Sequence, residues 1–156
     1  MLRKLLPILF LLAMITACDK NSFQTKPSLT LKSQSTAVPA DNEAQFQIIL
    51  KFTDKEGDLP GASDSSMVFT AKALNVRKLD GGTDYPFEYT RLPDFPDKTS
   101  GEIELRPFRR NYYRAVTNPG ANEDSNDTIV MKIIIKDRAG NASDTLTTGP
   151  IVLYGE

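Results

Sequence analysis

The sequence predicts an all-β fold, in the form of a single antiparallel β-sandwich of about seven strands. The main observation is an alternation of apolar and polar residues with a period of two, which is typical of strands with one buried and one solvated face. Segments rich in glycine, proline, asparagine and aspartate separate these runs and indicate turns. The sequence shows no long segment with a helical period and no internal repeat.

Seven segments carry the strand pattern. The clearest spans residues 45–52, where every second residue from Phe46 to Phe52 is large and apolar. Two of the seven are less regular, because Pro86 and Pro150 cannot donate a backbone hydrogen bond. In chain order, the predicted strands are residues 28–32, 45–52, 67–73, 85–89, 102–106, 129–136 and 145–154.

The N-terminal segment has the order of a secretory signal rather than that of a structural helix. Arg3 and Lys4 precede an apolar segment of 11 residues, from Leu5 to Ile15. This segment is too short to span a bilayer, which takes about 20 apolar residues. Two small residues then precede Cys18, the only cysteine in the chain. The sequence therefore predicts an exported protein.

The stretch Ile15-Thr16-Ala17-Cys18 resembles the lipobox of bacterial lipoproteins. The resemblance implies that signal peptidase II cuts before Cys18 and that this cysteine is then acylated, with palmitate among its lipids. It divides the chain into a signal peptide (1–17), a lipidated flexible tether (18–27) and a folded domain (28–156). It implies anchoring in the cell envelope, with the outer membrane favoured over the inner one. Asp19-Lys20 matches no sorting rule decisively, so the leaflet stays open.

Charge and composition exclude several functional classes. Loss of residues 1–17 removes Arg3 and Lys4, which leaves 17 Lys and Arg against 20 Asp and Glu, a net charge of about −3. A nucleic-acid binder would carry a basic excess, so none is expected as a partner. The chain contains no histidine, which excludes Ser/His/Asp and Cys/His nucleophile systems. We therefore expect a protein that is not an enzyme and that folds without disulfides.

The segment from Ile133 to Thr145 resembles the last hairpin of bacterial Ig-like domains, an apolar strand followed by Asp-x-Ala-Gly-Asn-x-Ser and a threonine-rich strand. Independently of that resemblance, Gly140 and Asn141 are residue types that accept the positive φ of a tight hairpin. The chain has no tryptophan, no second cysteine and no obvious tyrosine corner. A fibronectin- or cadherin-like variant is therefore a better comparison than an antibody domain.

One predicted site is a calcium site. Asp54, Glu56 and Asp58 alternate around Gly57, which places oxygen ligands on one side of a sharp turn, as Ca²⁺ requires. The stretch resembles the Asp-x-Asp-Gly-Asp turns of cadherin-like and bacterial Ig-like domains. In an Ig-like sandwich this loop shares an end with the loop between the last two strands, which would supply Asp137, Asn141 and Asp144. Asp and Gly are also ordinary turn formers, so a solvated acidic end without a metal stays open.

The second predicted site is a basic and aromatic segment, in which four arginines and three aromatic residues interleave between Arg106 and Arg114. Arginine pairs with acidic groups and tyrosine offers flat apolar area, so the segment could bind an acidic glycan or a partner protein. The candidate binding residues are Arg109, Arg110, Tyr112, Tyr113 and Arg114. In the alternative, this is a protected edge strand, with the aromatic residues packed inward and the arginines stacked on them.

These observations favour a membrane-anchored envelope lipoprotein whose Ig-like module binds or spaces other envelope proteins. The alternative function is a glycan-binding accessory lipoprotein of a nutrient-uptake system. The absence of tryptophan weakens that alternative, because sugar-binding platforms favour tryptophan.

Overall fold

A computed structural model describes residues 26–59, 66–75, 85–113 and 125–155 of the chain. These residues form nine strands and one short 3₁₀ turn, and they contain no α-helix, so the prediction of an all-β fold is confirmed. The strands are β1 (Ser28–Gln34), β2 (Ala37–Val38), β3 (Ile48–Thr53), β4 (Met67–Ala73), β5 (Glu88–Thr90), β6 (Ser100–Leu105), β7 (Asp127–Ile135), β8 (Leu146–Thr147) and β9 (Ile151–Leu153). The 3₁₀ turn spans Arg109–Asn111.

The strands form two sheets in a sandwich-like arrangement. One sheet has the order β1-β3-β6, and the other has the order β2-β9-β7-β4-β5, with β8 paired to β7. The prediction of purely antiparallel pairing is wrong at one place, because β2 runs parallel to β9. The nine strands exceed the predicted seven for two reasons. The two-residue β2 is too short to show a period, and Pro150 divides the predicted strand 145–154 into β8 and β9.

One hydrophobic core lies between the two sheets. The alternation predicted for β3 is present, since Ile48, Leu50 and Phe52 are buried while Lys51 and Thr53 are exposed. β7 is the central strand of its sheet, and every second side chain from Ile129 to Ile135 is fully buried. No helix in the described residues is long and apolar enough to cross a membrane.

The two ends of the sandwich differ in character. At one end β3 and β7 finish while β4 and β6 begin. We call this end the acidic pole, because its connections carry Asp54, Glu56, Asp58, Asp137 and Asp144. We call the opposite end the distal pole; it carries Asn42, Arg109 and Tyr154, which are joined by hydrogen bonds. β1 begins at the acidic pole, where Ser28 pairs with Thr53.

Candidate functional site

The acidic loop after β3 is held by its own first carboxylate. Asp54 is only 2% exposed, and its Oδ2 accepts hydrogen bonds from the backbone N–H groups of Asp58 (2.9 Å) and Leu59 (3.2 Å). Gly57 adopts a φ of +69°, a conformation that glycine takes without strain. The Asp54 carboxylate therefore fixes the shape of the turn, which is a structural use of an acidic residue.

The loop after β7 has the same construction. Asp137 is buried, and its Oδ1 accepts a hydrogen bond from the backbone N–H of Asn141 at 2.7 Å. Its Oδ2 accepts a second bond from Asn141 Nδ2 at 2.8 Å. Gly140 adopts the positive φ of +87° that the sequence predicts for this hairpin. Both oxygens of Asp137 thus close the turn in which they lie.

The two loops meet at Asp58. Burial raises the pKa of the Asp58 carboxyl above its ordinary value, and the neighbouring carboxylates of Asp137, Asp54 and Glu56 raise this pKa further. Asp58 Oδ1 is buried and has no hydrogen-bond partner among the described residues. The effect of Asp137 on Asp58 indicates that the loop after β3 and the loop after β7 lie near each other, while the predicted sharing of a ligand between them stays a prediction.

This proximity does not amount to a coordination site. Within the described residues, no group of three or more acidic side chains is placed so that it could hold one metal ion. Asp54 Oδ2 and both oxygens of Asp137 already accept hydrogen bonds within their own loops. Asp144 pairs instead with Lys26, at 2.7 Å. The calcium site of Asp54, Glu56, Asp58, Asp137 and Asn141 stays a prediction that the geometry does not strengthen.

The basic and aromatic segment is largely internal. Arg109 is fully buried and donates hydrogen bonds to Asn42 Oδ1 (3.0 Å) and to the backbone carbonyl of Tyr154 (2.7 Å). Its guanidinium also lies 3.8 Å from the ring centroid of Tyr113. The predicted contact of Arg109 with a glycan or partner is therefore wrong, because the chain itself encloses the side chain.

Tyr112 is also internal, since it is only 1% exposed and packs edge-on against Phe46 with ring centroids 5.7 Å apart. Its hydroxyl donates to Glu88, and burial together with that carboxylate raises the Tyr112 pKa far above its ordinary value. Direct ligand contact by Tyr112 is thus a second incorrect prediction. The segment forms a 3₁₀ turn here, and not the edge strand of the alternative.

Two more of the predicted binding residues lie nearer the surface. Arg110 pairs with Glu43 and stacks on Phe108 at 4.3 Å, while Tyr113 is partly buried beside Arg109. The inward packing and arginine stacking of the alternative interpretation are therefore confirmed. Arg114 and Cys18 lie outside the described residues, so their predicted roles have no structural counterpart here.

A concave surface that the sequence did not reveal lies between the two sheets. It is a cleft of about 500 Å³, bordered by β5 on one side and β6 on the other. Its apolar lining includes Met67, Phe69, Phe95, Ile103, Leu105 and Phe108. Residues 91–95 border it towards the acidic pole, and residues 107–112 border it towards the distal pole.

One carboxylate is set into this apolar lining. Glu88 lies in β5 and lines the cleft, where one of its oxygens accepts the Tyr112 hydroxyl. The adjacent residues Phe87 and Tyr89 are 62% and 63% exposed. The sequence analysis did not identify Glu88, because an acidic residue between two aromatic residues in a strand is expected to lie on the solvated face. Its inward position depends on the pairing of β5 with β4.

Comparison with known proteins assigns the chain to no family, so its interpretation rests on the fold and on the contacts described above. No protein-family model matches the chain. No curated protein sequence matches it significantly either.

Proposed function

We propose that this protein is a lipid-anchored lipoprotein of the cell envelope, and that its Ig-like sandwich is a non-catalytic module that binds or spaces other proteins. The observation that carries the proposal is the strand order. With β1, β3 and β6 read as strands A, B and E, and with β4, β5, β7 and β9 read as C, C′, F and G, the two sheets follow the Ig scheme.

The hydrogen bonds of three carboxylates, those of Asp54, Asp137 and Glu104, support a non-catalytic role for these residues. Asp54 and Asp137 accept hydrogen bonds that close their own turns. Glu104 accepts bonds from Gln47 and Arg106, which lower the pKa of its exposed carboxyl. A general base or nucleophile would need a free, activated group. These carboxylates instead maintain the fold.

The place where the folded domain starts fits a tethered module. Lys26 pairs with Asp144, and Ser28 starts β1 at the acidic pole. The eight residues from 18 to 25 would therefore join the lipid-bearing cysteine to that end of the sandwich. At roughly 3.4 Å per residue, they span at most about 27 Å when extended. Such a tether leaves the distal pole and the cleft free to meet partners.

The anchor is tested by labelling with radioactive palmitate. Wild-type protein should incorporate the label, while Cys18→Ser should lose it and accumulate with an uncut signal peptide. Because Cys18 is the only cysteine, no other thiol can be acylated in its place. Label in the Cys18→Ser protein would contradict the anchor.

Photo-cross-linking in cells separates binding from spacing. A photoreactive phenylalanine analogue replaces Tyr89 on the outer face of one sheet or Lys51 on the outer face of the other; both positions are exposed. A third position at Thr90, on the rim of the cleft, completes the set. A binding module should give a discrete adduct from at least one position, whereas a pure spacer gives none.

The glycan-binding alternative has less support, because two of its five candidate residues are enclosed by the chain and Arg114 lies outside the described residues. Arg109 and Tyr112 are buried, and Arg110 is engaged by Glu43 and Phe108. We therefore favour the protein-binding or spacing role.

A further inference from the structure

Each sheet of the sandwich ends in an open strand beside the cleft. Among the described strands, β6 pairs only with β3, and β5 pairs only with β4. One row of backbone N–H and C=O groups on each strand therefore has no strand partner. β6 offers the longer edge, since it spans six residues against three for β5. An open edge of this kind is a template for an extended chain.

The cleft suits the alternating side chains of such a chain. A strand added beside β6 would direct every second side chain inward, beside Ile103 and Leu105. Those side chains would enter the cleft and cover Phe69 of β4, which is only partly buried. A compact small molecule could fill the same volume, but it would leave the edge of β6 unpaired. An extended peptide satisfies both the apolar lining and the backbone groups.

The charges of the cleft favour a basic residue in that peptide. Glu88 has no cationic partner among the described residues, and only the Tyr112 hydroxyl binds it. The other charged residues that line the cleft are already in ion pairs: Arg91–Asp94 at 3.0 Å, Arg106–Glu104 at 2.8 Å and Glu102–Lys32 at 2.6 Å. Glu88 is therefore the carboxylate that an incoming lysine or arginine would meet.

We propose that the cleft binds an extended segment of a partner protein, which pairs with the open edge of β6, inserts alternate apolar side chains and places a lysine or arginine against Glu88. This inference rests on the binding form of the proposed function. It names the surface and the chemistry of the partner: a short β-strand, apolar on one face, with one basic residue on that face.

The test uses the full chain purified in a non-ionic detergent. The probe is a fluorescein-labelled heptapeptide of alternating threonine and valine, in which the central valine is replaced by lysine. Fluorescence anisotropy should show saturable binding. The same peptide with glutamate at the centre should bind about tenfold more weakly, because it opposes Glu88. A third peptide, N-methylated at alternate residues on its pairing edge, should not bind, because it cannot donate to β6.

Variants assign the binding to the cleft. Glu88→Gln should weaken the lysine peptide about tenfold and remove the preference over the glutamate peptide. The amide oxygen of Gln can still accept the Tyr112 hydroxyl, so the fold is retained. Glu56→Gln makes the same charge change at the acidic pole and should have no effect. Equal binding of all three peptides, or equal affinity in wild type and Glu88→Gln, would overturn the proposal.

The peptide and cross-linking experiments together distinguish a failure of the cleft proposal from a failure of the proposed function. If cross-linking in cells gives an adduct but no heptapeptide binds, the protein is a binding module that uses another surface, and the cleft proposal fails alone. If neither experiment shows binding, the binding form of the function fails with it.

Discussion

Several buried polar side chains in the described loops complete the hydrogen bonding of the backbone. Asp54 and Asp137 accept backbone N–H groups in their turns, and Ser66 Oγ accepts the N–H of Leu92 at 2.8 Å. Each of these residues is buried. Buried backbone donors need partners, so these side chains are explained by the fold alone. Asp58 differs from them because its Oδ1 is buried without a partner among the described residues.

We predict that Asp58→Asn stabilises the protein at neutral pH. Its native pKa lies above the ordinary value of 3.8, so the native state binds more protons than the unfolded state between the two pKa values. The free energy of unfolding therefore falls as the pH rises through this window and stays lower above it. The substitution should raise the Tm at pH 7, and this gain should vanish near pH 3.

Melting curves from pH 3 to pH 7 measure this effect, with Glu56→Gln as the control because Glu56 is the smallest contributor to the Asp58 pKa shift. A Tm gain in Asp58→Asn that does not change with pH would show that repulsion at Asp58 is not its cause. The same melts with about 5–10 mM CaCl₂ test the calcium prediction. A bound calcium ion should raise the Tm of the wild type and have little effect on Asp58→Asn.

At Arg109 we predict a large loss of stability even on conservative substitution. Arg109 joins the loop at Asn42, the backbone of Tyr154 and the ring of Tyr113. Lysine lacks the planar fork that makes these contacts together. Arg109→Lys should lower the free energy of unfolding by about 2–4 kcal/mol. Urea denaturation measures the change. Arg110→Lys, which affects an exposed ion pair, should lower the free energy of unfolding by less than about 1 kcal/mol. Equal losses in the two variants would show that the buried contacts of Arg109 do not stabilise the fold.

At the scale of elements, the backbone ladder is interrupted between β8 and β9, and side chains supply hydrogen bonds in its place. Pro150 offers no backbone donor. Beside it, Thr148 Oγ1 accepts the N–H of Met131 at 2.9 Å, and Gln34 accepts the N–H of Gly149 at 2.8 Å. Gln34 also donates to the carbonyl of Pro150 at 3.2 Å. The last part of the second sheet is thus held by hydroxyl and amide groups in place of a continuous ladder.

The variant Thr148→Val tests the contribution of the Thr148 hydroxyl to stability. Valine has nearly the shape of threonine, but it would leave the backbone N–H of the fully buried Met131 without an acceptor. An unsatisfied buried donor costs about 1–3 kcal/mol, so the midpoint of urea unfolding should fall accordingly. Thr147→Val, at the exposed neighbouring position, should change stability by less than about 0.5 kcal/mol. Similar effects of the two variants would show that the Thr148 hydroxyl is not needed.

The sequence predicts the strands well because alternation is a local property. It placed strands at 45–52, 67–73 and 129–136, and each overlaps an observed strand. It missed β2, since a pair of residues carries no period. Arg109 illustrates a different difficulty. Its burial depends on Asn42 and Tyr154, which lie 67 and 45 residues away in the chain, so the same Arg–Tyr pattern could describe a surface or an interior.

For the candidate sites too, features set by strand order could be predicted from the sequence, whereas features set by long-range contacts could not. The meeting of Asp58 and Asp137 was predictable, because strand order puts their loops at one end. Which carboxylate oxygens are free was not predictable, because those of Asp54 and Asp137 accept backbone hydrogen bonds from their own loops, while Asp58 Oδ1 has no partner among the described residues. The cleft was beyond prediction, since it exists only where β5 and β6 end different sheets.

At the scale of the whole molecule, the proposed anchor and the fold together set an orientation. The proposed tether would join the sandwich where Lys26 meets Asp144, which would place the acidic pole within about 30 Å of the membrane surface. β3 spans six residues between the poles, which corresponds to about 20 Å. With the sandwich upright on its tether, the distal pole would lie farther out by about that distance.

This orientation can be measured by energy transfer in lipid vesicles. Because acylation would consume the single native thiol, a dye can be attached to one introduced cysteine, at Asp97 near the acidic pole or at Asp41 near the distal pole. Both positions are exposed, and Asp97 pairs with Arg138 in the loop after β7. Transfer to an acceptor on the lipid headgroups should be stronger from position 97 than from position 41, because transfer falls steeply with distance. Asp41→Cys labelled in detergent-solubilised protein without vesicles gives the baseline. Equal transfer from both positions would mean that the sandwich lies on its side or tumbles freely, and stronger transfer from position 41 would mean that the anchored end is the distal pole.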